Sequence, residues 1–219
     1  MPALRQYWNQ DYAAGGGPVT RRLSQRLGAV IAWLAERGGL SPSQVTLLGA
    51  ACFAAAAAAL AFIPASAPGT LACFLLLQLG YGLDCADGQL ARATGRSSAF
   101  GAWLDIATDF SRNLMLAFAV LIFTANTSGV TLAAGAGLLY AGGTAIKLYT
   151  LTVIRAVPAV RPAATSWRRR MALFLLDTPV ILAAIAVTRH WPWIQLACLA
   201  VLGLGYAVVA ILQARGRLR

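Results

Sequence analysis

The 219-residue chain is poor in charged residues, and above all in acidic ones. Charged residues make up 11% of it, and 7 Asp and Glu stand against 18 Lys and Arg. A charged fraction this low excludes a disordered chain. A hydrophobic fraction of 59%, with a mean hydropathy of +0.68, is more than a water-soluble domain of this length could bury. The composition therefore indicates an integral membrane protein.

Cysteine and histidine are also scarce. The four cysteines lie in apolar stretches without a C-x-x-C pair, where cysteine usually acts as a small buried hydrophobe. The single histidine, His190, stands beside two tryptophans, as residues at a bilayer interface do. We attribute the net charge of +11 to membrane topology and to contact with anionic lipid. Membrane lipids are therefore expected partners, and nucleic acid is not.

Apolar stretches of bilayer-spanning length occur six times. All should be helices, because a backbone exposed to lipid has few other ways to satisfy its hydrogen bonds. They lie at about 43–63, 70–92, 99–124, 129–154, 171–188 and 192–213. An amphipathic segment, 18–37, precedes them and should lie on the membrane surface. We therefore expect an all-α integral membrane protein, with residues 1–219 as one domain of six transmembrane helices after an N-terminal interfacial helix.

Basic residues are distributed unevenly among the connections. The connections 64–69 and 125–128 have no Lys or Arg, whereas those on the opposite side and the C-terminal tail are rich in Arg. The positive-inside rule then places both termini in the cytoplasm, with Arg189 a minor exception on the outer side. We expect a multi-pass protein of a bacterial or archaeal cell membrane.

Four of the seven acidic residues lie between positions 84 and 109. Asp84 and Asp87 are three residues apart, and Asp105 and Asp109 are four apart, so each pair shares one helix face. The short connection 93–99 makes the two helices antiparallel and allows all four carboxylates to point into one space. Without cations, close carboxylate pairs would repel by about 4 kcal/mol each at an effective dielectric constant of about 20.

Divalent cations are the simplest answer to this repulsion. Carboxylate ligands without nearby His or Cys suit Mg²⁺ or Mn²⁺, and four carboxylates are enough for two ions. Two-metal sites act on phosphorus centres, and the side chains beside the acids agree with such a substrate. Gly88 and Ala91 leave room for a bulky group, while Arg92 is placed to bind a phosphate. The alternative for the acids is salt bridging to Arg92, Arg96 and Arg112.

The pattern D-x2-D-G-x2-A-R-x8-G-x3-D-x3-D resembles the signature of the CDP-alcohol phosphatidyltransferases. Its fixed positions are filled here by Asp84, Asp87, Gly88, Ala91, Arg92, Gly101, Asp105 and Asp109. The resemblance implies transfer to an acceptor hydroxyl, which attacks the β-phosphorus of a CDP-linked donor and expels CMP. It also implies a homodimer and a cytoplasmic active site.

The resemblance also implies residue roles. Asp84, Asp87 and Asp105 would hold the metals, and Asp109 would both contact metal and act as general base. The nucleotide and its phosphates would meet Gly88, Ala91, Arg92 and Ser98 on this motif. The family tends to have Pro-Asn-x-x-Thr at the start of the first span, where this chain reads Pro42-Ser43-Gln44-Val45-Thr46. Ser43 and Thr46 are therefore the further candidates for nucleotide binding.

The donor is expected to be CDP-diacylglycerol and the acceptor a polar alcohol. Lys147 and Arg155, two turns apart on one helix, either form an anion pocket for the acceptor or serve only topology and head-group contact. The anion pocket favours glycerol phosphate or inositol phosphate as acceptor. Asp177, inside the fifth span, either pairs with Arg112 or Lys147 or has a functional role.

Two other functions fit the same residues. Within the same chemistry, a water-soluble CDP-alcohol could donate its head group to a lipid or another alcohol. In a different class, a cation transporter could line its path with the buried acids.

Overall fold

The computed structural model describes residues 4–8, 17–155 and 177–217, and within these ranges it contains helices and no β-strand. A π-helical segment, Thr20–Ser24, leads directly into the helix Gln25–Arg37, and a 3-10 turn, Thr188–His190, follows the helix Thr178–Val187. In chain order the α-helices are α1 Leu4–Trp8, α2 Gln25–Arg37, α3 Pro42–Phe62, α4 Ala67–Ala93, α5 Ala99–Ser128, α6 Val130–Arg155, α7 Thr178–Val187 and α8 Pro192–Arg217.

Four of these helices are long and apolar enough to cross a membrane. The apolar spans are Pro42–Phe62, Ala67–Ala93, Ala99–Ala125 and Pro192–Leu212. They confirm a multi-pass membrane protein. Helix α6 covers the predicted span 129–154, and α7 covers the end of the predicted span 171–188, whose residues 171–176 lie outside the described ranges.

Serine caps fix where the central helices begin. Ser41 accepts a hydrogen bond from the Gln44 N–H, and the Gln44 side chain accepts one from the Ser41 N–H, which is a capping box at the start of α3. Ser66 and Ser98 cap α4 and α5 with their side chains, which accept from the N–H groups of Gly69 and Gly101. Between α4 and α5, Gly95 has a φ of +66°, which reverses the chain within a few residues. Helices α4 and α5 are therefore antiparallel, as the short connection predicts.

Small residues bring α3 and α4 into close contact. A Cβ added at Gly49 would lie 3.3 Å from the Gly80 carbonyl oxygen, and one at Gly80 would lie 3.0 Å from the Phe53 ring. From Leu77 on α4, the buried core continues across α5, α6, α7 and α8 through Leu116, Val120, Tyr140, Leu182 and Leu199. Close approach without a side chain between the backbones is how small residues stabilise helix pairs in membranes.

The segment 18–37 is helical, and it packs on the protein mainly through small residues, with Leu27 and Ile31 the large apolar residues that lie over Gly82 of α4. The residues of α2 buried against α4 are Gly28, Ala29, Ala32 and Ala35. Leu23 and Leu34 are 66% and 54% exposed. Alanine and glycine are weak signals in an amphipathic pattern, so the sequence does not reveal this contact. The exposed leucines remain free to meet lipid.

Arg189, the basic residue that the sequence analysis placed on the outer side as an exception, is buried within the protein. It is 1% exposed, and its guanidinium donates to Cys73 Sγ at 3.1 Å and to the carbonyl oxygens of Leu60 and Ile63. Those carbonyls lie at the end of α3, where backbone oxygens lack helical partners. Arg189 thus caps α3 from the 3-10 turn that follows α7, and its charge is satisfied inside the protein.

Helices α6 and α8 cross at two glycines. A Cβ added at Gly143 would overlap the backbone of Gly203, and one at Gly203 would overlap the carbonyl of Leu139. At Gly142, by contrast, an added Cβ would meet nothing within 4 Å. The crossing therefore depends on the absence of side chains at 143 and 203.

We predict that Gly143→Val strongly destabilises the protein, whereas Gly142→Val does not. Overpacking commonly costs about 1–3 kcal/mol, and here the clash is with backbone that cannot rotate away. Thermal unfolding in detergent, with size-exclusion recovery of folded protein, measures the difference. Equal melting temperatures for the two variants would show that the α6–α8 crossing is not as close as described.

Candidate active site

A cavity of about 560 Å³ lies among α3, α4, α5, α6 and α7. It brings together nearly all residues that the sequence singled out. The predicted site residues that line it are Ser43, Thr46, Asp84, Asp87, Gly88, Ala91, Arg92, Ser98, Asp105, Asp109 and Lys147. The side chain of Arg155 lies outside the described residues, although α6 includes its backbone.

Helical spacing places the acids on the cavity wall. Tyr81, Asp84 and Asp87 follow one another at three-residue intervals on α4, and Asp105 and Asp109 are one turn apart on α5. The capped reversal between the helices sets these two faces opposite each other. All four carboxylates therefore share one space, as the spacing predicts.

Asp87 is held by a neighbouring helix. Its side chain is buried, and its Oδ2 accepts a hydrogen bond of 2.5 Å from the Thr46 hydroxyl on α3. Thr46 stands one turn inside the helix that Ser41 caps. The start of α3 is therefore tied to the acid cluster through this pair.

Arg112 is a part of the site that the sequence indicated only as a salt-bridge alternative. It is 6% exposed, and its Nη1 lies 2.6 Å from Asp109 Oδ1 and 3.9 Å from Asp84 Oδ1. It follows Asp109 by three residues, so both side chains leave α5 on the same face. The i,i+3 spacing of an Arg after the last Asp was the signal that could have identified it. Arg112 balances charge on both facing helices.

The donor set fits a divalent cation in type but not in its present arrangement. Within the described ranges, no three His, Cys, Asp or Glu side chains are close enough around one point to hold an ion. Asp84 and Asp109 turn towards Arg112, and Asp87 turns towards Thr46. Carboxylates that share one cavity are nevertheless the ligands that Mg²⁺ and Mn²⁺ prefer. Ion binding would require rotations that bring these carboxylates closer together.

Lys147 lies inside the cavity. Its Nζ is 4.0 Å from the centroid of the Tyr206 ring on α8, a cation–π distance. A lysine that served topology alone would extend its ammonium to the head-group level. The position favours the anion-pocket interpretation for Lys147.

Two candidate nucleotide residues have structural partners of their own. The Ser98 hydroxyl accepts a hydrogen bond of 3.0 Å from the Gly101 N–H, so it caps α5. At Gly88, an added Cβ would lie 3.2 Å from Nη1 of Arg92. Glycine at 88 therefore leaves room for the Arg92 guanidinium to lie along α4.

The partners predicted for Asp177 were wrong. Its contacts among the described residues are neither with Arg112 nor with Lys147. Instead, Oδ2 accepts from the N–H groups of Val19 and Thr20, at 2.7 and 2.9 Å, and Oδ1 accepts from the Thr20 hydroxyl. The unpaired N–H groups at the start of a helix attract a carboxylate, and sequence spacing cannot show that residue 19 approaches residue 177.

We predict that Arg112→Gln destabilises the metal-free protein by about 3–5 kcal/mol, because Asp84 and Asp109 lose their buried counter-charge. Arg215→Gln, at an exposed arginine of α8, is the matched control. Thermal unfolding in the presence of a chelator measures both. The double variant Arg112→Gln/Asp109→Asn should recover part of the loss, because it removes one uncompensated charge. Strict additivity of the two changes would contradict the ion pair.

The fold and the cavity define a class: an all-helical membrane protein that places oxygen ligands and cationic side chains around one polar space. The family model for CDP-alcohol phosphatidyltransferase matches residues 40–212, and the chain belongs to this family. It is therefore a transferase, and membership favours this class over the cation transporter. No curated protein matches the chain.

Two crystal structures of phosphatidylinositol phosphate synthase from Mycobacterium tuberculosis share the fold. The one in complex with manganese and citrate is 20% identical, covers 86% of this chain and 87% of that chain, and has a TM-score of 0.63. The one with CDP-DAG bound is 21% identical, covers 87% of this chain and 92% of that chain, and has a TM-score of 0.62. At this identity the likeness concerns the fold alone.

Proposed function

We propose that the protein is a phosphatidyltransferase of phospholipid synthesis that uses CDP-diacylglycerol as donor and a polar alcohol as acceptor. The observation that carries this proposal is the single cavity shared by the four motif aspartates and Lys147. A cavity that contains both acidic side chains and a cation suits a reaction between a pyrophosphate and a polar hydroxyl. The CDP-DAG bound to the similar fold supports the choice of donor.

Asp84, Asp87, Asp105 and Asp109 are proposed to hold two divalent cations, Mg²⁺ or Mn²⁺. Bound there, the ions would neutralise the charge that builds on the pyrophosphate oxygens. The manganese in the similar fold supports a divalent ion. Release of Asp84 and Asp109 from Arg112 would leave that guanidinium in the cavity as a further positive charge.

Asp109 is proposed as the general base. Its carboxylate takes the proton of the acceptor hydroxyl, whose oxygen forms a bond to the β-phosphorus while the bond from that phosphorus to the bridging oxygen breaks. The bridging oxygen leaves as part of CMP. Arg112, 2.6 Å from Asp109, holds this carboxylate until substrate and metal are in place.

The donor is proposed to lie along the cytoplasmic ends of α3, α4 and α5. Ser43 and Thr46 on α3 would meet the nucleotide, opposite Gly88 and Ala91 on α4. Their small size leaves the backbone open to a bulky group. The phosphates would be bound by Arg92, with Ser98 at the start of α5 as a further contact.

The acceptor is proposed to be a phosphorylated alcohol, glycerol phosphate or inositol phosphate. Lys147 supplies a cation at the α6 side of the cavity, where its ammonium lies over Tyr206. Arg155, two turns further along α6, is the second proposed contact. Two cations beyond those needed near the donor favour an acceptor with its own negative charge.

In the membrane, the chain is proposed to form six transmembrane helices as one domain, with both termini and the cavity on the cytoplasmic side of a bacterial or archaeal cell membrane. The segment 18–37 would lie at the interface, where the exposed Leu23 and Leu34 meet lipid. A homodimer is proposed on the family resemblance.

We predict that Asp109→Asn lowers turnover by about 10²–10⁴-fold, because a general base contributes about that factor. Binding of CDP-diacylglycerol should persist, since the amide retains the shape of the side chain. CMP release from CDP-diacylglycerol with Mn²⁺, glycerol phosphate and inositol phosphate measures turnover, and calorimetry measures donor binding.

Glu36→Gln on α2, outside the cavity lining, is the control for loss of an acid and should retain activity. Wild-type turnover in Asp109→Asn would remove Asp109 as base. If the unmodified protein releases CMP only from a water-soluble CDP-alcohol given a lipid hydroxyl acceptor, the choice of donor is wrong.

We predict that Lys147→Ala raises the KM of the phosphorylated acceptor by about tenfold or more, as loss of a charge-assisted contact does, with the donor KM nearly unchanged. Lys147→Arg should recover much of the loss, and Arg215→Ala is a control cation outside the cavity. Lys147 is the one lysine of the sequence, so amine-reactive labelling located by peptide mass, which separates it from the N-terminal amine, reports on it. The anion pocket would be refuted by two results together. The first is that the acceptor does not slow the labelling of Lys147, and the second is that Lys147→Ala raises the donor and acceptor KM values equally.

A further inference from the structure

The carboxylate of Asp177 is used in an unusual way for its position. Asp177 stands at the N-cap of α7, with Pro179 inside the first turn, where an aspartate ordinarily caps its own helix. It makes no side-chain cap there. It is 3% exposed, and its two oxygens instead bind a segment 157 and 158 residues away in the chain.

That segment begins a helix whose first N–H groups have no partner within the helix. The helix starts at Pro18, which has no N–H, and its first backbone bond runs from Arg21 N–H to the Gly17 carbonyl. The N–H groups of Val19 and Thr20 are therefore left over, and both donate to Asp177 Oδ2. A negative charge at this end also interacts favourably with the helix dipole.

Thr20 connects this contact to the cavity. Its hydroxyl donates to Asp177 Oδ1 and lies 3.0 Å from the Tyr81 hydroxyl on α4. Thr20, Tyr81 and Thr178 all line the cavity, and Tyr81 precedes Asp84 by one turn. The turn that Thr20 opens is π-helical, a local form that is frequent at functional sites. Through Thr20, the segment 17–24 thus contributes to the wall beside the acid cluster.

We infer that Asp177 is a positioning residue that holds segment 17–24 as the wall at the acceptor end of the cavity. The family model begins at residue 40, so this wall is an element of the chain outside the matched part. Thr178, the residue after Asp177, lines the cavity together with Lys147, the proposed acceptor contact, whereas the proposed donor contacts lie on α3, α4 and the start of α5. The acceptor assignment rests on the proposed function, but the attachment of the segment does not.

The attachment is tested without substrate by hydrogen–deuterium exchange on the peptide that covers 17–24. Asp177→Ala should raise exchange of the Val19 and Thr20 amides by about tenfold or more, because it removes the acceptor of both bonds. Asp177→Asn should restore much of the protection, since its carbonyl oxygen can still accept. Thr124→Val, at a buried threonine of α5 outside the cavity lining, controls for general destabilisation.

The acceptor assignment is tested by steady-state kinetics. Thr20→Val should raise the KM of the phosphorylated acceptor by about fivefold or more with kcat and donor KM nearly unchanged, and Thr20→Ser should recover it. Thr20→Val keeps both backbone bonds to Asp177, so it supplies this measurement even where Asp177→Ala does not fold.

Each outcome decides the inference. Exchange at 17–24 that rises no more in Asp177→Ala than in Thr124→Val overturns the attachment. Where Asp177→Ala does not fold, the same comparison is made on Asp177→Leu, which fills the space but offers no acceptor. If Thr20→Val raises the donor KM as much as the acceptor KM, the assignment of segment 17–24 to the acceptor end of the cavity is wrong. Absence of CMP release from the unmodified protein would reject the proposed function, while the exchange measurement would still decide the attachment.

Discussion

Negative charge in a low-dielectric interior is the constraint on which the rest of this structure depends. Four carboxylates within one cavity repel one another and are poorly solvated, so each needs a positive or hydrogen-bonding partner. Thr46 supplies one for Asp87, and Arg112 supplies one for Asp84 and Asp109 together. The chain concentrates four of its seven acids in this one place. The helices around the site are arranged so that Thr46 and Arg112 reach these carboxylates.

The geometry that satisfies this constraint is set by local sequence. Ser98 and Gly95 reverse the chain between α4 and α5, which turns two helical spacings of aspartate into one shared space. Ser41 fixes the start of α3, and Thr46 one turn later meets Asp87. Glycines at 49 and 80 then allow α3 to approach α4 closely enough for that hydrogen bond. Capping, reversal and small residues thus act together to place the cluster.

The sequence predicted the parts of the molecule that depend on local pattern. Apolar length and helical spacing predicted the long helices, the face shared by Asp84 and Asp87, and the meeting of both acid pairs. The pattern failed where a contact joins distant residues: it offered Arg112 or Lys147 for Asp177, whereas the partner is the helix start at Val19 and Thr20. It also missed the face of α2 that packs on α4, because Ala and Gly pack by their lack of bulk and leave little hydrophobic signal.

Two buried charges away from the acid cluster follow one physical rule. Arg189 donates to the carbonyls at the end of α3, and Asp177 accepts from the N–H groups at the start of the helix that contains Thr20. Each charge meets the helix end whose partial charge is opposite, and each satisfies backbone groups that the membrane interior could not. Both residues also lie next to α7, one before its first residue and one after its last. The residues that flank the short helix α7 therefore contact α3 at one end and the N-terminal segment at the other. A change in the position of α7 would alter both contacts.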